Sequence, residues 1–410
     1  MLGESSELAA AKAMNGIMWL AQSTIVVFLP VYYSAYFDKL QIGVLSTIPC
    51  FSALIAPPLW GAIADVIQKQ RAVHVFCIVT GAVLMFAIQY TSASFSLTCL
   101  VVFLANFQTN PTGSLLDQAV MALIERVGGE YGKQRLFGAV GWGIGAFFTG
   151  VVVNAYGIAW AFYLHLVFVV PSVFILHFIP PPQPHAAAAV TSSTISFADG
   201  IRRVFQKPDV LLLLVVVLLL GILLGAMGSF LGLYLYELSD NNTTLVGTAI
   251  WVETISELPA FFYADTIVKR FGIVRVLFLS IVGCGVRISY YAVMTNAWTV
   301  LPFELLHGVT FAFAWAAFTN YIYESAAPGT QGTMMGLLNA ICNGLGRGAG
   351  SLLGGYLYQT YGARAMWLAA DMGVPLALLG LFFFARTLPS RNIVDLTKGE
   401  HQPLTATATP

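Results

Sequence analysis

Five ionisable side chains fall within three successive apolar runs in the second half of the chain: Glu253, Glu257, Arg287, Glu304 and His307. A charged group in an apolar helix is unfavourable unless it pairs with an opposite charge or faces water. Glu253 and Glu257 are four residues apart, so they share one face of a helix. Because one guanidinium neutralises only one carboxylate at a time, the other can bind and release a proton. This chemistry predicts a water-accessible cavity in which proton binding is coupled to another event.

A structural interpretation of these residues is also open, namely a fixed network of ion pairs that holds the helices in register. We favour the cavity, and we expect Arg287 to be stabilised there by Glu257 or Glu253 together with His307. The two interpretations differ in what happens when both charges of a pair are removed together, because a structural pair can be replaced by uncharged residues.

A second arginine within an apolar run, Arg347, lies in the glycine-rich stretch "NAICNGLGRGAGSLLGG". Its glycines are typical of helices that approach one another closely. The arginine itself is expected either to bind an anionic substrate or to pair with Asp371 or Glu237. The sequence leaves both alternatives open.

The composition indicates a lipid environment for these runs. Of 410 residues, 58% are hydrophobic and 9% are charged, against about 25% charged in a typical soluble domain. The 19 Lys and Arg balance the 19 Asp and Glu, so no net charge favours nucleic acid as a partner. The chain has no nucleophile elbow, phosphate loop or metal-ligand spacing, so we expect neither an enzyme nor a cofactor or metal.

A spanning helix needs about 20 mainly apolar residues, and twelve runs meet this requirement. The predicted spans are 12–36, 42–66, 72–92, 96–121, 134–154, 158–179, 210–236, 245–267, 273–294, 298–323, 332–357 and 363–386. The sequence thus predicts an all-α membrane protein.

The distribution of Lys and Arg predicts which side of the membrane each loop occupies. With the N-terminus in the cytoplasm, fifteen of the nineteen basic residues fall on the cytoplasmic side, which holds the excess in membrane proteins. Both termini are therefore predicted to be cytoplasmic. The expected segments are an N-terminal tail (1–11), a first six-helix bundle (12–179), a cytoplasmic linker (180–209), a second six-helix bundle (210–386) and a C-terminal tail (387–410).

The two halves of the chain repeat one another. "GAIADVIQKQR" closes the second span and "FFYADTIVKRFG" closes the eighth, at an offset of 200 residues. "NAYGIAWAF" after the fifth span is echoed by "QTYGARAMW" after the eleventh. Two related sets of six spans, connected by a linker, are typical of a secondary transporter whose bundles are related by a pseudo-two-fold axis.

The stretch "APPLWGAIADVIQKQR" resembles the loop motif of the major facilitator superfamily, and the resemblance extends over essentially residues 12 to 388. The matching residues are Gly61, Asp65, Lys69 and Arg71. The resemblance implies that these four residues contribute to gating contacts between the two bundles and do not bind substrate. The usual second glycine–arginine pair of the motif is absent.

"YGKQRLFGAVGWGIGAFFTG" in the fifth span is similar to the branch that contains lactose permease, nucleoside permeases and the associated-domain proteins of eukaryotes. This resemblance implies that Arg135 and Trp142 line the substrate site, with either Asp117 or Glu125 as the acid of the fourth span. Arg287 is followed twenty residues later by His307, as in the permease pattern.

The pattern departs from the permeases where their proton-carrying glutamate is expected. The chain has Thr310 at that position, whereas Glu304 lies one turn before the histidine on a similar face. The acid of the eighth span is either Glu253 or Glu257. Proton coupling by the identical route is therefore not implied.

We accordingly predict a secondary transporter that moves a small polar solute, such as a sugar, nucleoside or organic acid, by alternating access and in symport with protons. Its partners are the solute, protons and the lipid bilayer, and the transport unit is a monomer. The alternative is a non-transporting membrane receptor or scaffold, which has no need of so many buried charges. Asn241 and Asn242 begin overlapping N-glycosylation sequons, which matter only in a eukaryotic host.

Overall fold

The long helices of this protein form where the sequence has its apolar runs. The computed structural model describes residues 6–180, 207–326 and 330–388. We number the helices in chain order as α1 (Ser6–Val26, continued by Leu29–Ser34), α2 (Lys39–Ile67), α3 (Gln70–Ala87), α4 (Phe95–Val127), α5 (Tyr131–Tyr156), α6 (Ala159–Ile175), α7 (Pro208–Leu238), α8 (Thr243–Phe271), α9 (Ile273–Val293), α10 (Ala297–Glu304 and Gly308–Ser325), and α11 and α12, which share the segment Gln331–Thr387 and are divided at Gly362.

In the described part of the chain, nine helices are long and apolar enough to cross a bilayer, or ten when the two parts of α10 count as one span. One of the nine is the 57-residue segment Gln331–Thr387, which Gly362 (φ 83°) breaks into two spans. The remaining helix, α4, has 33 residues and buries polar side chains such as Asn106 and Thr112, which lower its hydropathy. The prediction of an all-α protein with twelve spanning helices in two six-helix bundles is confirmed.

Several helices extend beyond the predicted spans. The first begins at Ser6 instead of residue 12, and α4 ends at Val127 instead of residue 121. Hydropathy detects only the apolar part of a helix, whereas backbone hydrogen bonding continues into the polar flanks until a cap or a glycine ends it. The predicted linker and C-terminal tail lie largely outside the described residues, so the segment boundaries remain predictions.

Helices α1–α6 pack against one another, as do α7–α12, and the two bundles meet along α2 with α11 and along α5 with α8. At the first contact, a Cβ on Gly43 would lie 2.6 Å from the carbonyl oxygen of Ser351. At the second, a Cβ on Gly150 would lie 2.6 Å from the carbonyl oxygen of Thr243. Only glycine permits this backbone approach, so both contacts depend on the absence of a side chain.

These contacts lie toward one end of the molecule, which we call the outer end and which contains Lys39 and Asn242. At the opposite or inner end, which contains Ile67 and Phe271, the bundles are parted. A Cβ on Gly61 of α2 or on Gly336 of α11 would meet nothing within 4 Å. Among the described residues, the close backbone contacts between the bundles therefore lie at the outer end, and open space lies beside these two glycines at the inner end.

Candidate functional site

The guanidinium of Arg287 is the centre of the buried charge network, and 1% of its side chain is exposed. Its Nη2 donates to Oε1 of Glu253 at 2.7 Å and also to Glu304, whose side chain has no exposed surface. Its Nε donates to the hydroxyl of Tyr291 at 2.9 Å, and that hydroxyl donates to Oε1 of Glu304 at 2.6 Å. The arginine is thus held by two carboxylates on two different helices.

His307 connects this ion pair to the remaining carboxylate. Nη1 of Arg287 lies 3.0 Å from Nδ1 of His307 and 3.1 Å from the Thr310 hydroxyl. Nε2 of His307 lies 3.1 Å from Oε1 of Glu257, and Nδ1 also lies 3.4 Å from Oε1 of Glu253. We expected Arg287 to pair with Glu257 or Glu253. The structure pairs it with Glu253, and Glu257 reaches the arginine only through the imidazole.

The site has a buried part and an accessible part. Arg287 and Glu304 are closed off from solvent, whereas Glu253, Glu257 and His307 each expose 16% to 18% of their side chains. The second group therefore has open space beside it, and the first does not. A proton that reaches Glu304 must pass through the hydrogen bonds of the network.

A break in α10 positions Glu304 and His307. The segments Ala297–Glu304 and Gly308–Ser325 are bent by 42° relative to each other, and a π-helical turn spans Gly308–Phe313. Such turns occur often at functional sites. A Cβ on Gly308 would lie 2.3 Å from a carbonyl oxygen of α8, so the glycine allows α10 to bring both side chains against α8 and α9.

Arg347 follows a second π-helical segment, Ala340–Gly346, and is half-buried. No carboxylate of the described residues forms an ion pair with it. The two acids expected as alternatives, Asp371 and Glu237, are hydrogen-bonded to other side chains, so the pairing expectation is wrong for this conformation. The guanidinium instead lies over the ring of Phe311 at 5.7 Å from its centroid, and that ring stacks on His307 at 5.5 Å.

The candidates of the first bundle form a separate pair. Nη1 of Arg135 on α5 donates to Asp117 on α4 at 2.8 Å and to the hydroxyl of Tyr131 at 3.0 Å. Asp117 is therefore the acid of the fourth span that meets this arginine, whereas Glu125 is exposed. About half of the Arg135 side chain is exposed, so this pair is far more hydrated than the network around Arg287.

Trp142 is half-buried on α5 and follows Gly141, where the backbones of α5 and α1 are in contact. Its indole packs edge-on against Trp19 of α1, with ring centroids 6.1 Å apart. The two indoles form an aromatic surface in the first bundle. Contact of Trp142 with a solute remains a prediction.

The loop motif of Gly61, Asp65, Lys69 and Arg71 lies at the parted inner end. Asp65 accepts a hydrogen bond from a neighbouring glutamine at 3.0 Å, and Arg71 donates to the carbonyl of Ile179 at 2.6 Å. Both contacts remain within the first bundle. Among the described residues, no hydrogen bond or ion pair joins the motif to the second bundle in this conformation, so its gating role remains a prediction.

The sequon residues occupy an outer turn. Asn241 is exposed in a left-handed conformation (φ 67°), and Asn242 caps α8 by accepting a hydrogen bond from the Leu245 amide at 3.2 Å. Glycosylation at either residue remains a prediction.

Tyr291 is a member of the network that the charge pattern did not reveal. It lies four residues after Arg287 and so shares its helix face, which is the signal that could have identified it. The pair of Lys39 and Glu237 was missed for a different reason, because the two residues are 198 positions apart in the sequence and no local pattern connects them.

Comparisons with known proteins agree with this architecture. The model of the MFS_1 like family matches residues 16–369. The maltose permease of Geobacillus stearothermophilus is 26% identical over 373 residues, covering 90% of this chain and 92% of the permease. A putative nucleoside transporter of Escherichia coli (strain K12) is 24% identical over 378 residues, covering 85% and 86%.

The crystal structure of the nucleoside transporter NupG has the same fold. It superposes with a TM-score of 0.79 at 18% identity, covering 93% of this chain and 99% of NupG. These relatives are permeases and transporters, which excludes an enzyme and favours transport over a receptor or scaffold. The chain therefore belongs to the MFS_1 like family of the major facilitator superfamily and is a multi-pass membrane transporter.

Proposed function

We propose that this transporter moves a small polar solute, such as a sugar, a nucleoside or an organic acid, by alternating access and couples its movement to protons. One observation carries the proposal. Glu253 and Glu304 contact the guanidinium of Arg287, and Glu257 reaches it through His307, so the network has a net charge of −2 when all three acids are ionised and His307 is neutral. Uncompensated charge within a membrane is unfavourable, so proton binding stabilises the network.

The bonding of His307 supports the coupling step. With a neutral imidazole, Nδ1 accepts from Arg287 and Nε2 donates to Glu257. With a protonated imidazole, Nδ1 has a hydrogen to donate and Glu253 is the available acceptor at 3.4 Å. Nη1 of Arg287 then retains only Thr310. Protonation of His307 therefore replaces its hydrogen bond to Arg287 by one to Glu253. Binding of a proton in this way changes the contacts of the network.

The shape of the cleft supports alternating access. The bundles touch at the outer end and leave open space beside Gly61 and Gly336 at the inner end, which supports access of a solute to the central charges from the inner side. The parted glycines, such as Gly61 and Gly336, leave room for the inner end to close when the bundles rock against each other. The distribution of basic residues favours a cytoplasmic location of the open end, and this orientation is part of the proposal.

A test of the function is exchange in proteoliposomes loaded with unlabelled solute. Maltose, uridine and xanthosine, labelled with a radioisotope, are the first probes, because relatives of this chain are named for maltose, nucleosides and xanthosine. We expect at least one solute of this size and polarity to enter protein-containing vesicles faster than empty ones. Equal rates for every sugar, nucleoside and organic acid tested contradict the proposal.

Orientation gives a separate prediction. Because fifteen of nineteen basic residues fall on the side of the termini, a tag at either end should be protected from external protease in intact cells. Permeabilised cells serve as the control, in which both tags should be cleaved. Cleavage of both tags in intact cells indicates the opposite orientation, and cleavage of only one contradicts an even number of spans.

Three residues connect the bundles at the closed outer end: Lys39, Glu237 and Tyr358. We call this group the outer latch. Nζ of Lys39 on α2 pairs with Glu237 on α7 and lies 5.2 Å from the ring centroid of Tyr358 on α11. The Tyr358 hydroxyl donates to the other oxygen of Glu237 at 2.5 Å. The latch therefore stabilises the state in which the outer end is closed.

Lys39→Met is expected to shift the conformational equilibrium toward the outward-open state. A partly exposed pair contributes about 1 kcal/mol or less, so the shift is up to about fivefold. The probe is Thr47→Cys, which lies buried at the α2–α11 contact, in a variant without the five native cysteines. An impermeant maleimide should label it faster after Lys39→Met.

Lys133→Met is the matched control, because it removes a lysine from an ion pair within the first turn of α5. It should leave the labelling rate of Thr47→Cys unchanged. Equal labelling rates in both variants and in the parent would show that the latch does not hold the outer end closed.

A further inference from the structure

Arg347 carries a charge that forms no direct ion pair with any carboxylate of the described residues. Its Nε is buried and has no hydrogen-bond partner, and no carboxylate there lies within ion-pair distance. A guanidinium remains protonated in proteins, so it cannot avoid this cost by losing a proton. On insertion scales an arginine at mid-membrane costs about 2.5–3.5 kcal/mol.

The position of Arg347 is fixed by its backbone and not by a charged partner. A Cβ on Gly225 of α7 would lie 2.3 Å from the Arg347 carbonyl oxygen, so α7 and α11 are in direct contact here. On the other side, a Cβ on the next residue, Gly348, would lie 3.7 Å from Cys50 of α2. Arg347 therefore lies where α11 passes between the second bundle and the first, which is the boundary of the central cleft.

The aromatic ring beside the guanidinium connects it to the proton network. Phe311 lies between Arg347 and His307 as a contact of both, and it also stacks on Trp315 with centroids 6.4 Å apart. The ring covers a face of the guanidinium, and the hydrogens at the edge of an arginine remain available for a planar, bidentate acceptor. A carboxylate is the acceptor that fits this edge.

We propose that Arg347 binds the anionic group of the transported solute, and that the solute is a small organic acid recognised through its carboxylate. This proposal rests on the proposed transport function and narrows its substrate class. A carboxylate bound at Arg347 and a proton bound at His307 have opposite charges and share Phe311 as a neighbour. Each therefore favours binding of the other, which is the coupling that symport requires.

The first test needs no ligand and uses Arg347→Gln. Since the substitution breaks no ion pair, the purified variant should unfold at the same temperature as the parent protein or at a higher one. If Arg347 had a structural role, its removal would leave a partner unpaired and would lower the unfolding temperature. A melting temperature several degrees lower than that of the parent overturns the proposal.

The second test measures binding to the purified protein of matched pairs that differ by a carboxylate: glucuronate and glucose, orotate and uracil, and nicotinate and nicotinamide. At least one carboxylate should bind more tightly than its neutral partner. Arg347→Gln should raise its dissociation constant about tenfold or more. Arg347→Lys should raise the dissociation constant by less than Arg347→Gln does, because lysine keeps the positive charge although it lacks the planar guanidinium. Arg364→Gln, which removes an exposed arginine at the outer end, is the control and should change nothing.

The outcomes separate this proposal from the transport function. Binding of neutral members alone, binding of a carboxylate that Arg347→Gln leaves unchanged, or binding of no carboxylate in the panel overturns the assignment of Arg347. A neutral solute that binds and exchanges across proteoliposomes supports transport while contradicting the anionic substrate. A carboxylate that binds through Arg347 but does not exchange supports the site and contradicts transport.

Discussion

Arg287→Ala is expected to abolish transport and to lower the stability of the folded protein by about 3–5 kcal/mol, the cost of leaving a buried charge without its partner. Glu304 has no exposed surface and loses its cation, and the hydroxyl of Tyr291 loses a donor. Thermal unfolding of the purified variant measures the loss. Arg135→Ala is the contrast, because its pair with Asp117 is half-exposed and should be worth about 1 kcal/mol or less.

The double variant Arg287→Ala with Glu304→Ala separates a structural role from a functional one. Removing both charges should restore part of the stability, because the fully buried Glu304 is no longer left unpaired, whereas Glu253 keeps only His307 at 3.4 Å. Transport should nevertheless remain absent, because the network has lost its cation. Arg287→Lys should retain folding but weaken transport, since one ammonium cannot reproduce the fork that contacts Glu253 and Tyr291. Full transport by the double variant would contradict a functional role for Arg287.

The second large effect is expected when a proton-carrying carboxylate is replaced by its amide. The variant should lose accumulation of solute against a gradient but keep exchange of solute across the membrane. For at least one of Glu253→Gln, Glu257→Gln and Glu304→Gln, uptake against a gradient should fall to equilibration. Exchange of labelled for unlabelled solute should persist, because it requires no net release of a proton. Both assays must be made on the same vesicles, so that loss of protein is not mistaken for loss of coupling.

Glu324→Gln is the matched control for this series, since Glu324 lies on α10 near its inner end and away from the network. It should leave accumulation and exchange unchanged. If all three network variants still concentrate solute under a proton gradient, then none of these carboxylates is essential for coupling and another ion or facilitated diffusion takes its place.

The twelve spans could be predicted because each helix contains an apolar run of about 20 residues, although hydropathy does not show where the polar ends of the helix lie. The members of the charge network were predictable for a related reason, since Glu253, Arg287 and His307 are conspicuous in apolar runs. Their pairing was predicted only in part. Glu253 and His307, which were expected beside Arg287, do contact it. The additional pair with Glu304 was not predicted, because Glu304 lies beside a 42° bend of α10 that no local pattern around residues 304–308 specifies.

The contacts between the bundles could not be predicted from the sequence either. The outer latch joins residues 198 positions apart, and the emptiness around Gly61 at the inner end depends on how two bundles tilt. The loop motif is an example of a feature whose role could be predicted but whose contacts could not. The motif was recognisable, but its contacts depend on a conformation that the sequence does not specify.

The central claim, that the network couples solute movement to protons, is tested most directly by accumulation driven by a pH gradient alone. Proteoliposomes are prepared with the interior one pH unit more alkaline than the exterior, with the membrane potential held at zero. The solute is one that exchanges in the wild-type protein. For one proton per solute, a gradient of one unit supplies about 1.4 kcal/mol, which corresponds to an accumulation of about tenfold. We predict that the wild-type protein approaches this ratio and that a proton ionophore collapses it. Equal concentrations inside and outside, reached at the same rate with and without the gradient, would contradict proton coupling.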